Sequence, residues 1–154
     1  MKRVYRTRRA KRGYDNKAAY IFANILNNCN RNATPNLVWV LNFTKLDIKG
    51  QLHSSHYWLI FIDHFARKVI YNKVYFIKHG KGCVFACKVI KALQQCIIQR
   101  QPNQEVLVHT DNGTEFVNKE YYSFVDKNTL LVGSTSSVGQ PEHNSLTESA
   151  IKKN

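Results

Sequence analysis

Seven consecutive residues, Val38-Trp39-Val40-Leu41-Asn42-Phe43-Thr44, constrain the fold more than any other stretch of the chain. An extended backbone turns alternate side chains to opposite faces, so a run that is apolar at nearly every position must be covered on both. Such a strand belongs in the middle of a sheet. Two more strand-like runs follow, Tyr57 to His64 and Lys68 to Val74, joined by a short turn at Phe65-Ala66-Arg67. The three together predict a meander.

The pattern then changes period. Between Gly82 and Gln99 the apolar residues Val84, Phe85, Val89, Leu93, Ile97 and Ile98 recur every three or four positions, which predicts an amphipathic helix. Val106-Leu107-Val108 begins a fourth strand, Lys119 to Asp126 reads as a helix, and Leu130 to Gly133 as a short strand. A Ser-rich loop from Ser134 to Gly139 precedes a last helix. The expected class is α/β, a mixed sheet flanked by helices in the order β-β-β-α-β-α-β-α. Residues 1–36 read as a basic, Asn-rich arm and linker, with a short helix over Tyr20 to Leu26 broken by Asn27, Asn28, Asn30, Asn32 and Pro35. Residues 37–154 form the expected domain.

Two acidic residues stand out. Val106 to Val108 lead through His109-Thr110 to Asp111 and an Asn112-Gly113 turn, which sets Asp111 at the tip of a buried strand, where α/β folds place functional groups. After 36 intervening residues comes Glu148, in the run Gly139-Gln140-Pro141-Glu142-His143-Asn144-Ser145-Leu146-Thr147-Glu148-Ser149. There Gly and Pro end a loop, Asn144 can cap a helix, and Glu148 sits one turn inside it. Singly, an Asp before Asn-Gly is an ordinary turn residue, and an early helical Glu ordinarily only complements the dipole. Brought together by the fold, they are the carboxylates that hard divalent cations need for phosphoryl transfer.

His109-Thr110-Asp111-Asn112-Gly113 with Phe116, followed by Gly-x-Pro-x-x-Asn-x-x-x-Glu-Ser, resembles the catalytic core of retroviral integrases and insertion-sequence transposases. The resemblance implies a ribonuclease-H-like fold, an Asp-Asp-Glu triad, Mg2+ or Mn2+ as cofactor, and DNA integration or transposition as the activity of a mobile element. Its last two carboxylates would be Asp111 and Glu148. The first follows a Trp in Trp-x-x-Asp-x-Thr, and here Trp39-Val40-Leu41-Asn42-Phe43-Thr44 carries Asn42 instead. One neutral carbonyl oxygen then stands where two anionic ones are wanted, at an expected cost of several orders of magnitude in rate. Asp63, ending the second strand, and Asp47, past the end of the first, are the candidate substitutes. Against the family pattern the chain reads as truncated at its C-terminus, as in a decaying open reading frame or a fragment of a split gene. A catalytically inactive, basic DNA-binding remnant is the competing reading; a ribonuclease or resolvase of the wider superfamily fits the Gly139 to Ser149 run less well.

The net charge of +13 independently calls for a polyanionic partner, most simply DNA, both element ends and target. More than half of it lies in the first seventeen residues, where Arg8, Arg9, Lys11 and Arg12 are expected to follow phosphates, as a solvated arm that orders on DNA. Gln140 and Asn144 occupy positions that the resemblance assigns to DNA ends. Lys152, four residues after Glu148, would reach a phosphate or pair with Glu148 itself. Glu115 and Glu120 read as solvated charges without a role. Trp39 and Trp58 read as core rather than base-stacking residues. Cys29, Cys83, Cys87 and Cys96 in apolar or helical settings indicate reduced thiols in an intracellular compartment, and His53-x2-His56 with Cys83-x3-Cys87 imitates a zinc module only faintly. Abundant Asn, Lys and Ile hint at an AT-rich, organellar genome. No apolar run approaches the roughly 20 residues of a membrane span, and a homo-oligomer is compatible with the family.

Overall fold

The structure is a computed structural model that describes residues 21–26, 34–47, 55–79 and 82–136. Five strands, β1 (Val38–Lys45), β2 (His56–Asp63), β3 (Lys68–Phe76), β4 (Val106–Thr110) and β5 (Leu131–Thr135), form one sheet in the order β3-β2-β1-β4-β5. The meander β1-β2-β3 is antiparallel, whereas β4 runs parallel to both β1 and β5. The apolar run from Val38 to Thr44 is central, and its first six residues are buried. The mixed sheet and the element order up to β5 are those expected from the sequence.

Helix α1 (Gly82–Arg100) and helix α2 (Lys119–Lys127) cover one face. There Trp39, Leu41 and Phe43 of β1 meet Leu59 and Phe61 of β2, Val106 and Val108 of β4, and Val89, Leu93 and Cys96 of α1. α1 ends where Gln101 turns left-handed (φ 43°), just before Pro102. Asn118 caps α2, its side chain accepting from the Glu120 amide at 2.8 Å. Cys96 lies inside this core, and burial pushes its thiol up to about 12; Cys83 and Cys87 are exposed free thiols.

On the other face Val38, Val40 and Leu107 pack against Ile25 and Leu26. Residues 21–26 therefore belong to the packed unit, although they precede the expected domain start at Leu37; residues 21–25 are irregular where a helix was expected, and Leu26 is in a 3₁₀ turn. Phe22 stacks on Tyr122 at 4.4 Å, and a Cβ on Gly133 would overlap its ring, so this glycine leaves the room that Phe22 occupies against β5. β5 also runs further than its sequence suggests. Ser134 and Thr135, expected in a loop, pair in parallel with His109 and Thr110. The expected last helix lies outside the described residues. No helix among the described residues is long and apolar enough to cross a membrane.

Candidate metal site at the β1–β4 junction

After β1 the chain winds one way through β2 and β3, then returns to place β4 and β5 on the other side. The junction of β1 with β4 is where the direction of winding switches, and the carboxyl ends of parallel strands open a crevice at such a point. The parallel register pairs Val38 with Leu107 and Val40 with His109. Continued by two residues, it sets Asn42 beside Asp111, both on the face opposite α1 and α2. Asn42 is buried, with Ile60 of β2 across from it on its other side.

Asp111 begins a tight turn. Its Oδ1 accepts the Gly113 amide at 2.9 Å, and the Gly113 carbonyl accepts from the amides of Phe116 and Val117. Phe116 plugs into the core. The turn folds Glu115 back toward Asp111: a Cβ on residue 113 would overlap the Glu115 carboxylate and stand 3.0 Å from Asp111 Oδ1. Glu115 is only 7% exposed. Burial, with a smaller contribution from the Asp111 charge, pushes its carboxyl up from 4.5 to about 7, against the opposing effects of its own amide and the Thr114 hydroxyl. Expected as a solvated charge, Glu115 is instead a buried neighbour of Asp111.

His109 is wholly buried behind the tip, its Nδ1 3.0 Å from Ser134 Oγ and its Nε2 3.0 Å from Ser136 Oγ. Ser134 Oγ also accepts the Ile25 amide at 3.1 Å, and Asn112 Nδ2 donates to the Ser136 carbonyl at 2.9 Å. The strand tip, β5 and residues 21–26 are thus tied together through one imidazole.

Among curated proteins, the chain is similar to a transposase for insertion sequence element IS904 from Lactococcus lactis subsp. lactis (strain IL1403), at 26% identity over 148 residues, covering 90% of this chain and 51% of that protein. It therefore spans about half the length of the relative. Among solved structures it is similar to the HTLV-2 integrase catalytic core domain in complex with magnesium, at a TM-score of 0.56 and 20% identity, covering 79% of this chain and 68% of that one. The catalytic domain of Mos1 mariner transposase gives a TM-score of 0.55 at 10% identity, covering 77% and 67%. A chain of the simian T-cell lymphotropic virus intasome in complex with PP2A regulatory subunit B56 gamma gives 0.56 at 17%, covering 87% and 41%. The chain has the fold of these integrase and transposase catalytic cores. No protein-family profile matches it.

Asp63 stands apart from Asn42. It pairs in register with Trp39, hence on the α1–α2 face and about 10 Å along the strand from Asn42. Its oxygens are already engaged: Oδ2 accepts the Asn36 amide at 2.7 Å, Oδ1 accepts the Phe65 and Ala66 amides at 3.1 and 3.0 Å, and Arg100 Nη2 lies 3.7 Å away. Arg100 Nε also donates to Asn36 Oδ1. Asp63 closes the β2–β3 turn and ties it to α1. Asp47 lies exposed beyond the end of β1. Trp39 is fully buried, whereas Trp58 is half-buried and donates to Asn72 Oδ1 at 2.5 Å.

Glu148, Gln140, Asn144, Lys152, Arg8, Arg9, Lys11 and Arg12 lie outside the described residues. Among the described residues no three His, Cys, Asp or Glu side chains stand close enough to hold a metal ion. The donors that are in place nevertheless suit a hard divalent cation. Asp111 presents a carboxylate at the tip of β4, and Asn42 stands on the neighbouring strand.

Proposed function

We propose that this chain is the catalytic-core portion of a mobile-element transposase or integrase, a divalent-metal-dependent polynucleotidyl transferase acting on DNA, with activity depressed by Asn42. The observation that supports the reading is the parallel β1–β4 register, whose continuation from Val40 and His109 sets Asn42 beside Asp111 at the switch point. The IS904 transposase supports it. Asp111 and Glu148 would hold Mg2+ or Mn2+, which when bound stabilises the charge developing on the phosphate under attack. Asn42 would give that centre a carbonyl oxygen and no charge. Lys152, Gln140 and Asn144 would position DNA ends, and Arg8, Arg9, Lys11 and Arg12 would follow backbone phosphates. The protein would act wherever its DNA lies, and a homo-oligomer would bring two ends together.

A second reading, a DNA-binding remnant without turnover, is favoured by one observation, the amide at position 42. Nicking and strand transfer on labelled DNA with Mn2+ separate the two. Wild type is expected to be slow, Asn42→Asp to gain at least about 100-fold, and Asn42→Asp with Glu148→Gln to lose that gain. No activity from any variant, with salt-sensitive DNA binding intact, would leave the remnant reading.

A further inference from the structure

We propose that the rim where β3 meets α1 is a surface for the phosphate backbone of duplex DNA, held by Lys73, Lys88 and Lys91. This rests on the reading of the chain as a DNA-processing core and adds a contact away from the β1–β4 junction. The imbalance of charge is already in the sequence. His64 to Gln104, which span β3 and α1, hold eight of the 23 Lys and Arg and none of the 10 Asp and Glu. Solvated surfaces ordinarily mix both signs, so a long stretch of cations without an acid calls for an anion from outside.

The fold gathers that charge. Lys73 pairs in register with Leu59, which puts it on the face of the sheet that α1 covers. Its Nζ lies 5.3 Å from the centre of the Tyr75 ring, and Nζ of Lys88, from α1, lies 5.4 Å from the same centre. Two like charges from different elements thus converge on one aromatic ring. The Tyr71 and Tyr75 hydroxyls are hydrogen-bonded at 2.7 Å, which holds that ring in place. Lys91 is exposed one turn further along α1. Among the described residues none of the three lysines has a carboxylate partner. Asp63, the acid just before this stretch, is taken up by Arg100 and three backbone amides. β3 is also the outer strand, so among the described residues no further strand closes the rim. Ammonium groups on flexible stems meet phosphates as point charges and read no bases, so the contact is independent of sequence. Asn42 and Asp111 lie on the face opposite α1, so the DNA held here is not the segment at the junction.

The test uses the whole chain and two duplexes of unrelated sequence, with affinity measured over a range of salt. Replacing Lys73, Lys88 and Lys91 together by Gln should lower the slope of log affinity against log salt by about 2 to 3, equally on both duplexes. Replacing the same three by Arg should keep the wild-type slope. An unchanged slope in the Gln variant would overturn the proposal and leave the DNA reading standing, whereas wild type without salt-sensitive DNA binding would overturn both. An unchanged slope with binding to polyglutamate lost would assign the rim to an acidic protein instead. Acetylation of lysines in wild type checks the contact without any substitution. DNA should protect Lys73, Lys88 and Lys91 at least about fivefold more than Lys127 at the end of α2, and equal protection would overturn the proposal.

Discussion

At the scale of single residues, the environment of Glu115 makes a prediction that needs no metal. Its carboxyl titrates near 4.5 in an unfolded chain and near 7 in the fold. Between those values the folded protein holds the proton more tightly, so the stability this group contributes is fully present below pH 4.5 and is lost as pH rises through 7. The expected loss for the metal-free protein is up to about 3 kcal/mol, levelling off above pH 7. Urea unfolding at pH 5 and pH 8 measures it. Glu115→Gln should remove most of the pH difference relative to wild type, and an unchanged difference would show that Glu115 is solvated. This residue was not legible in the sequence, because an acid in a polar turn looks solvated until the direction of the turn is known. The position of Asp111 at a strand tip was legible, since it depends on the strand that leads to it. Asp63 shows the limit of strand adjacency as a guide: β2 does lie beside β1, but register and face set Asp63 apart from Asn42.

At the scale of elements, the strands were readable where burial alone decides them. Val38 to Thr44 is apolar on both faces and can only be central. β5 was readable only in part, since Ser134 and Thr135 are extended through pairing with β4 rather than through apolar character. The packing of residues 21–26 was hidden by the Asn-rich stretch that follows, which made the whole leader resemble a linker. Phe22 and Gly133 are the contact that ties this segment to the sheet, and they predict a coupled pair. Gly133→Ala should destabilise by about 1–3 kcal/mol, because the methyl group would occupy the space of the Phe22 ring. In a Phe22→Ala background the same substitution should cost much less, a non-additivity that a double-mutant cycle in urea reads directly. Additive costs would mean that residues 21–26 do not rest on β5.

At the scale of the molecule, charge and topology point the same way by independent routes. A chain of +13 suits a polyanion whatever its fold. Strand order β3-β2-β1-β4-β5 opens a site at one switch point whatever its charge. Their conjunction is what a DNA-processing core needs: a basic body that gathers phosphates, and one acidic spot that holds the cations acting on them. Diffraction from crystals soaked in Mn2+, at a wavelength where manganese scatters anomalously, tests that acidic spot most directly. The expected result is a peak at the β1–β4 junction, about 2.2 Å from an Asp111 oxygen. A manganese peak only elsewhere on the molecule, with Asp111 free of metal, would contradict it.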